Sequence, residues 1–488
     1  MPKTLSPAKL LVAALMLASQ ASSALAGPSE ADRTAILASA DGYEPHLRST
    51  ALALWGYAEL GFQERRSSAR LQEELRAAGF TVKAGVAGMP TAFVATYRTG
   101  PGPVIGLLAE FDALPGFSQA AEPRKAPLAG VENGHACGHN LFGAASVGAA
   151  IAVRRWMEAS GVKGEIRLYG APAEEGGSGK VFLVRAGLMS DVDAMLHWHP
   201  ADANGASQGR TLASISGKFR FHGIASHAAM APEKGRSALD GVEALDYMVN
   251  MMREHVPQDA RIHYVITNGG KAPNVVPDFA EAYYYIRHPD AGEARAIFER
   301  VLAAARGAAL GTGTTMEFVQ TGGSFNILPN DTLGHVLHDN LASLPPIART
   351  AQDRDFMKRM TATLTSPSSA GGDAVPAYAS GALSYVSSDV GDVSQVTPTA
   401  GLVTQTWAPG TPAHSWQAAA ASGAPIGLEG AGQAARGLAL SVADLFRHPE
   451  LLDQAKAELT QRQGPGFSYR SLLGEQPPAL DYRKAGGD

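Results

Sequence analysis

The stretch PVIGLLAEFDALPG, residues 103–116, runs apolar to Ala109 and then turns acidic at Glu110 and Asp112. An apolar run of this length, closed by turn residues, reads as a strand. Two further runs end in the same way. EIRLYGAPAEEGGSG (165–179) delivers Glu174 and Glu175, and DAMLHWHPAD (193–202) delivers His197 and His199. TAFVATY (91–97) lacks a polar ending and is expected at a sheet edge. Helical patterns fall at 67–78, 141–160 and 180–187, the last closed by Gly187, a residue suited to a left-handed cap. Strand alternating with helix predicts an α/β fold with a mainly parallel sheet, and in such sheets sites gather beyond the carboxyl ends of the strands.

From about residue 214 the order changes. KFRFHGIASHAAMAP, ALDGVEALDYMVNMMREHV, RIHYVITNGG, AEAYYYIRHPD and EARAIFERVLAAARGAAL alternate strands and helices in a ferredoxin-like order. We expect 214–322 to be an inserted α+β lid or dimerisation domain with an antiparallel sheet, flanked by a catalytic domain in two parts, 27–213 and 323–488. Residues 343–388, rich in Pro, Ser, Ala and Gly, are expected to form a surface excursion, and EGAGQAARGLALSVADLF (429–446) the closing helix.

At the N-terminus, Lys3 and Lys9 precede LLVAALML (10–17), and Ala24 and Ala26 form an A-x-A cleavage pattern. The apolar run is far short of the roughly 20 residues needed to span a bilayer, so 1–26 is expected to be a signal peptide and the protein to be exported, periplasmic or secreted. Forty-one basic against 46 acidic side chains, without long runs of either sign, point to neither nucleic acid nor a membrane surface as partner.

Export usually brings disulfides, yet the chain has one cysteine, Cys137, in HACGHN (135–140). It is a buried inert thiol, a free reactive thiol, or a metal ligand. Its neighbours favour the third. Cys137 and His139, the Glu174–Glu175 pair, the His197/His199 pair and His414 in GTPAHSWQ are donors that zinc and related ions accept together. A hydrolytic centre needs one carboxylate to hold metal and another to take a proton from water, and adjacent glutamates can divide that work. His197 and His199 share one strand face, so either can be the ligand. His135 is expected to be structural.

The segments AEFDALP, HACGHN, PAEEGG, HWHP, GIASHAAMAPEKGRSALD, PNVVPD and GTPAHSW together resemble the M20 metallopeptidases and amidohydrolases. Asn140, HWHPAD and SSDVGDVS (387–394) depart from the main branch and are similar to the p-aminobenzoyl-glutamate hydrolase group. The resemblance implies Cys137, His139, Glu175 and His414 as ligands of two divalent ions, Zn or Mn. It makes His199 the first choice for a further ligand, with His197 as alternate. It implies Glu174 as general base and His227 as a lid histidine that reaches a partner subunit's site to polarise the scissile carbonyl. Asn274 and Arg287 would hold the substrate carboxylate, and Asp112 is assigned a supporting place behind the ligands.

The implied activity is hydrolysis of the amide of an N-acyl or N-aroyl amino acid such as p-aminobenzoyl-glutamate, or of a dipeptide, by a homodimer. The alternatives are a broad aminoacylase or dipeptidase and an inactive periplasmic metal- or peptide-binding protein. Retention of both glutamates favours catalysis, because a binding protein needs a ligand and not a base.

Overall fold

The computed structural model describes residues 28–368 and 372–483. The expected signal peptide lies outside the described residues. Helix α1 (Glu30–Tyr57) starts at Ser29, whose side chain accepts the N–H of Asp32, and α2 (Arg65–Ala77) follows. Strands β1 (Thr81–Ala84), β2 (Phe93–Arg98) and β3 (Val104–Glu110) precede the long helix α3 (His139–Ser160). Next come β4 (Glu165–Ala171), α4 (Gly179–Arg185) and β5 (Ala194–Ala201), then a short strand β6 (Gln208–Arg210).

The first sheet has six strands in the order β1-β2-β4-β3-β5-β12, where β12 is Thr399–Gln405. β4, β3, β5 and β12 are parallel, while β1 and β2 run antiparallel to their neighbours. The sheet is therefore mainly parallel, and α3 crosses it with every residue from Leu141 to Val153 buried. α1, α3 and the late helix α10 (Pro425–Arg447) share its core. One expectation fails: TAFVATY forms β2, an interior strand. The edge is β1, four mostly exposed residues whose short TVKA pattern carries no apolar periodicity to announce it.

The insert comprises β7 (Ala213–His222), α5 (Ala238–Met252), β8 (Arg261–Asn268), β9 (Phe279–His288), α6 (Ala291–Thr312) and β10 (Thr315–Ser324). Its antiparallel sheet has the order β10-β7-β9-β8 and its own core, with Phe219, Phe221, Leu245, Tyr284, Ile297 and Val301 buried between strands and helices.

Beyond α7 (Asp331–Ala342), residues 343–388 are less of an excursion than expected. They hold helix α8 (Ala351–Thr361), opened by a reciprocal Thr350–Asp353 capping box. They also hold β11 (Ser380–Leu383), which pairs with β6. Arg349 anchors the segment, donating to Glu429 Oε2 at 2.7 Å and to the Gln405 carbonyl at 3.0 Å. Composition hides this anchor because an arginine paired across the fold looks like any other in sequence. After α9 (Trp416–Ser422), α10 and α11 (Pro449–Gln463), the chain returns across the catalytic domain to Arg483.

Candidate metal centre and cleft

The carboxyl ends of β3 and β4, with the C-terminal part of β5, meet at the start of α3. Gly138, at φ +77°, turns the chain there; a Cβ would lie 2.8 Å from the Pro200 side chain. The turn sets Cys137 Sγ 3.6 Å from His199 Nε2. His199 Nδ1 lies 2.8 Å from the Pro200 carbonyl, a contact that places the ring proton on Nδ1 and leaves the Nε2 lone pair on the sulfur side.

Asp112 braces the centre from behind. Its Oδ1 is 3.0 Å from His139 Nδ1, and its Oδ2 accepts the Glu175 N–H at 2.9 Å. After β4, Ala173 takes a left-handed conformation, φ +57°, and its N–H is held by the buried Glu64 at 2.9 Å. That strained turn presents Glu174 and Glu175. His414, also left-handed at φ +56°, brings Nε2 to 3.0 Å from Glu175 Oε1.

The donor atoms gather in three sets: Cys137, His139 and His199; Cys137, Glu175 and His414; and Glu110, His139 and Glu174. In each set the atoms lie within 4.8 Å of one another. The first two share Cys137 and contain Cys137, His139, Glu175, His199 and His414. His197 joins none. It packs against Gly401, where a Cβ would meet its ring at 2.4 Å, and burial pushes it down to about 4.

Glu110, Asp112, Glu174, Glu175 and Asp389 crowd this corner, with Lys180 as the ammonium among them. Lys180 is 0% exposed and donates to Glu110 Oε1 at 2.7 Å and Asp389 Oδ1 at 2.5 Å. Burial works against its charge, but Asp389 and Glu110 hold it above the ordinary lysine range. Burial, then Glu110 and Glu175, pushes Glu174 well above the usual carboxyl range. Burial, then Glu175, pushes the Cys137 thiol up. Against burial, Cys137, Glu110 and Asp112 lift His139 well above the usual imidazole range. Asp112 stays below the usual range because His139 and the Glu175 N–H outweigh its burial.

These residues fit divalent metal. Glu110 Oε2, His139 Nε2 and Glu175 Oε1 are buried without a hydrogen-bond partner, although Glu110 Oε2 faces His139 Nε2, and Glu175 Oε1 faces His414 Nε2, at 3.0 Å. Imidazole nitrogens and carboxylate oxygens set 3.0 Å apart without a hydrogen bond, in a buried corner rich in carboxylates, form an arrangement that a bound cation satisfies. The mixture of thiolate, imidazole and carboxylate suits zinc and its neighbours.

A cleft of about 460 Å³ opens beside this corner, between the catalytic domain and the insert. Glu174, Glu175 and His414 line one side, and Ser214, Tyr285 and Arg287 the other. His227 and Asn274, by contrast, are joined to each other's loops outside the cleft: His227 pairs with Val275, and Ala228 donates to the Asn274 carbonyl at 3.0 Å. Within one chain they do not line the cleft. His135 lies 3.1 Å from the Leu54 carbonyl, away from the donor sets, and Asn140 donates to the Ala51 and Ser422 carbonyls at 3.1 and 2.9 Å. Sequence reasoning missed Glu64, Lys180, Asp389 and Arg483. Glu110, the last residue of β3 and two positions before Asp112, and Asp389, inside SSDVGDVS, carried a local signal.

Comparison with known proteins agrees with this arrangement. Residues 212–312 match the peptidase dimerisation domain of M20 enzymes. The chain is 40% identical over 436 residues to a subunit of the p-aminobenzoyl-glutamate hydrolase of Escherichia coli, covering 84% of this chain and 90% of that one. The chain belongs to the M20 family. This M20 enzyme is a metal-dependent hydrolase of amide bonds. It is also 32% identical over 301 residues to the Xaa-Arg dipeptidase of Mus musculus, covering 59% of this chain and 66% of that one. Its fold is shared with a dinuclear metal-binding M20 peptidase from Bacillus subtilis, at a TM-score of 0.55 and 19% identity over 82% of this chain and 99% of the other.

Proposed function

We propose that this M20 enzyme hydrolyses N-acyl or N-aroyl amino acids of the p-aminobenzoyl-glutamate type, using two divalent ions, Zn or Mn. The observation that carries the reading is the pair of donor sets sharing Cys137, set beside Glu174 and in one cleft with Arg287. Cys137, His139, His199, Glu175 and His414 would hold the ions. When bound, the ions supply Lewis acidity to the amide carbonyl and acidify water.

The chain's own groups do the rest. Glu174, which lines the cleft and makes no ion pair with the buried Lys180, takes a proton from water and returns it to the leaving amine. Asp112 keeps His139 and the Glu175 backbone in place. The Arg287 fork binds the planar carboxylate of the amino acid. Asn274 and the partner subunit's His227 complete the site in a homodimer. Their position outside the cleft of one chain supports that assignment, as does the apolar edge of the insert, where Tyr247 of α5 is 68% exposed and Val265 of β8 58%.

Similarity to Xaa-Arg dipeptidases favours a dipeptidase as the second reading. Two arginines lining the cleft, Arg287 and Arg483, suit an anionic side chain better than a cationic one. The basic, apolar, small-residue order of 1–26 supports export of the mature enzyme.

The test is metal-loaded protein assayed against N-benzoyl- and p-aminobenzoyl-glutamate beside Xaa-Arg dipeptides. We expect release from the N-aroyl amino acids. Bound metal with no release from any member of the panel would overturn the reading.

A further inference from the structure

The C-terminal segment after α11 is a strap that ties both domains together and brings Arg483 to the cleft. Tyr469 donates to Asp392 at 2.6 Å on the catalytic domain. Leu472 packs with Ala213, Ile215, Ala291 and Ala294 at the base of the insert, and Leu473 enters the catalytic core. Gln320 of β10 donates to the Leu472 carbonyl at 2.8 Å. Gln63 then holds the Leu480 carbonyl at 2.8 Å, and Tyr482 stacks edge-on to Phe62 with ring centres 5.7 Å apart. Gly61 makes room for Tyr482, since a Cβ there would lie 2.3 Å from its hydroxyl.

The strap closes on the catalytic turn itself. The Tyr482 hydroxyl donates to the Glu175 carbonyl at 3.0 Å, and Arg483 Nη2 donates to the same oxygen at 2.6 Å. Arg483 thereby lines the cleft that holds Glu174 and Arg287. Two donor nitrogens in this one cleft, Arg483 Nε and Arg287 Nε, are buried without a partner, and so is the hydroxyl of Ser387, which also lines it. A single carboxylate satisfies one guanidinium fork; a second fork would be left buried and unpaired.

Resting on the function proposed above, we infer that Arg483 is a specificity-determining residue that binds a second carboxylate of the substrate. The substrate class is then an N-acylated dicarboxylic amino acid, with Arg287 on the α-carboxylate and Arg483, aided by Ser387, on the side-chain carboxylate.

The experiment compares N-benzoyl-glutamate with N-benzoyl-glutamine on the metal-loaded full chain and on its Arg483→Gln and Arg483→Lys variants. Wild type is expected to favour glutamate by about tenfold or more in kcat/KM. Arg483→Gln should lose at least about tenfold more on glutamate than on glutamine, chiefly through KM, while Arg483→Lys keeps part of the preference. Equal losses on both substrates would show that the strap only supports the turn, and an undiminished preference for glutamate would place the second carboxylate elsewhere. Either result overturns the inference.

Calorimetric binding of the two ligands to Glu174→Gln protein separates this inference from the proposed function. Arg483-dependent binding of N-benzoyl-glutamate, together with no hydrolysis by wild type, would overturn the proposed function and keep this inference. Hydrolysis without discrimination would do the reverse, and no binding of either ligand would overturn both.

Discussion

The metal corner and the lid loop of the insert are built on opposite principles. In the corner, Asp112, His139, Glu110 and Lys180 are all buried, and each is held by a partner from another element. In the lid, His227 and Asn274 sit on loops that pair with each other, outside the cleft. Buried ionisable groups are tolerable only when their neighbours are already in place, so the corner is assembled before any ligand arrives. The lid groups have no such requirement within one chain and can wait for a second subunit. Arg287 stands between the two cases: it belongs to the insert yet lines the cleft of its own chain.

The hardest test of the pre-assembled corner is Glu174→Gln. It should lower kcat by about 10²–10⁴-fold while metal content, measured by elemental analysis, stays unchanged. Activity within a few-fold of wild type would remove Glu174 from the proton-transfer role. Lys180→Met probes the same corner through stability. It leaves Glu110 and Asp389 buried without their ammonium and should cost about 3–5 kcal/mol in denaturant unfolding. A cost below about 1 kcal/mol would mean that water already reaches these carboxylates.

The lid should answer differently. His227→Ala is expected to lose about 10²-fold in activity and to shift stability by no more than about 0.5 kcal/mol, the signature of a group used only in the reaction. Mixing His227→Ala with Glu174→Gln and allowing subunits to exchange should restore part of the activity. No recovery in exchanged mixtures would place His227 outside a partner's site.

The smallest expected effect concerns Asp246 in the insert. Burial raises its pKa from 3.8 to about 6, with the Tyr284 hydroxyl bond working the other way. A raised folded value means that the native state holds the proton more tightly, so this contribution to stability is greatest below the unfolded value and falls as pH rises through about 6. Asp246→Asn should therefore be more stable than wild type by about 1–2 kcal/mol near pH 8 and equal to it near pH 4, as read by thermal unfolding. A gap that does not change with pH would assign the effect to packing.

The same contrast separates what is legible in the sequence from what is not. Cys137 and His139, two residues apart, and the adjacent Glu174 and Glu175 carry their chemistry in local spacing, and the apolar runs before the glutamates and His197/His199 mark the strands. Lys180 and Asp389 are 209 residues apart, and Glu64 and Ala173 are 109 apart. Their partnership exists only in the fold, and nothing in sequence separates a buried lysine from a solvated one. The strap is hidden for a similar reason: the Leu472, Tyr482 and Arg483 contacts depend on where the chain returns, and no periodic pattern marks them. His197 and His199 share a strand face, so periodicity alone does not choose between them. The Pro200 carbonyl and the room at Gly401 separate their surroundings.

The shared-thiolate centre stands or falls on anomalous X-ray diffraction from zinc-loaded crystals. Two metal peaks are expected that share Cys137 Sγ, one with His139 and His199 and the other with Glu175 and His414. A single peak remote from Cys137, or a metal held by His197, would contradict it.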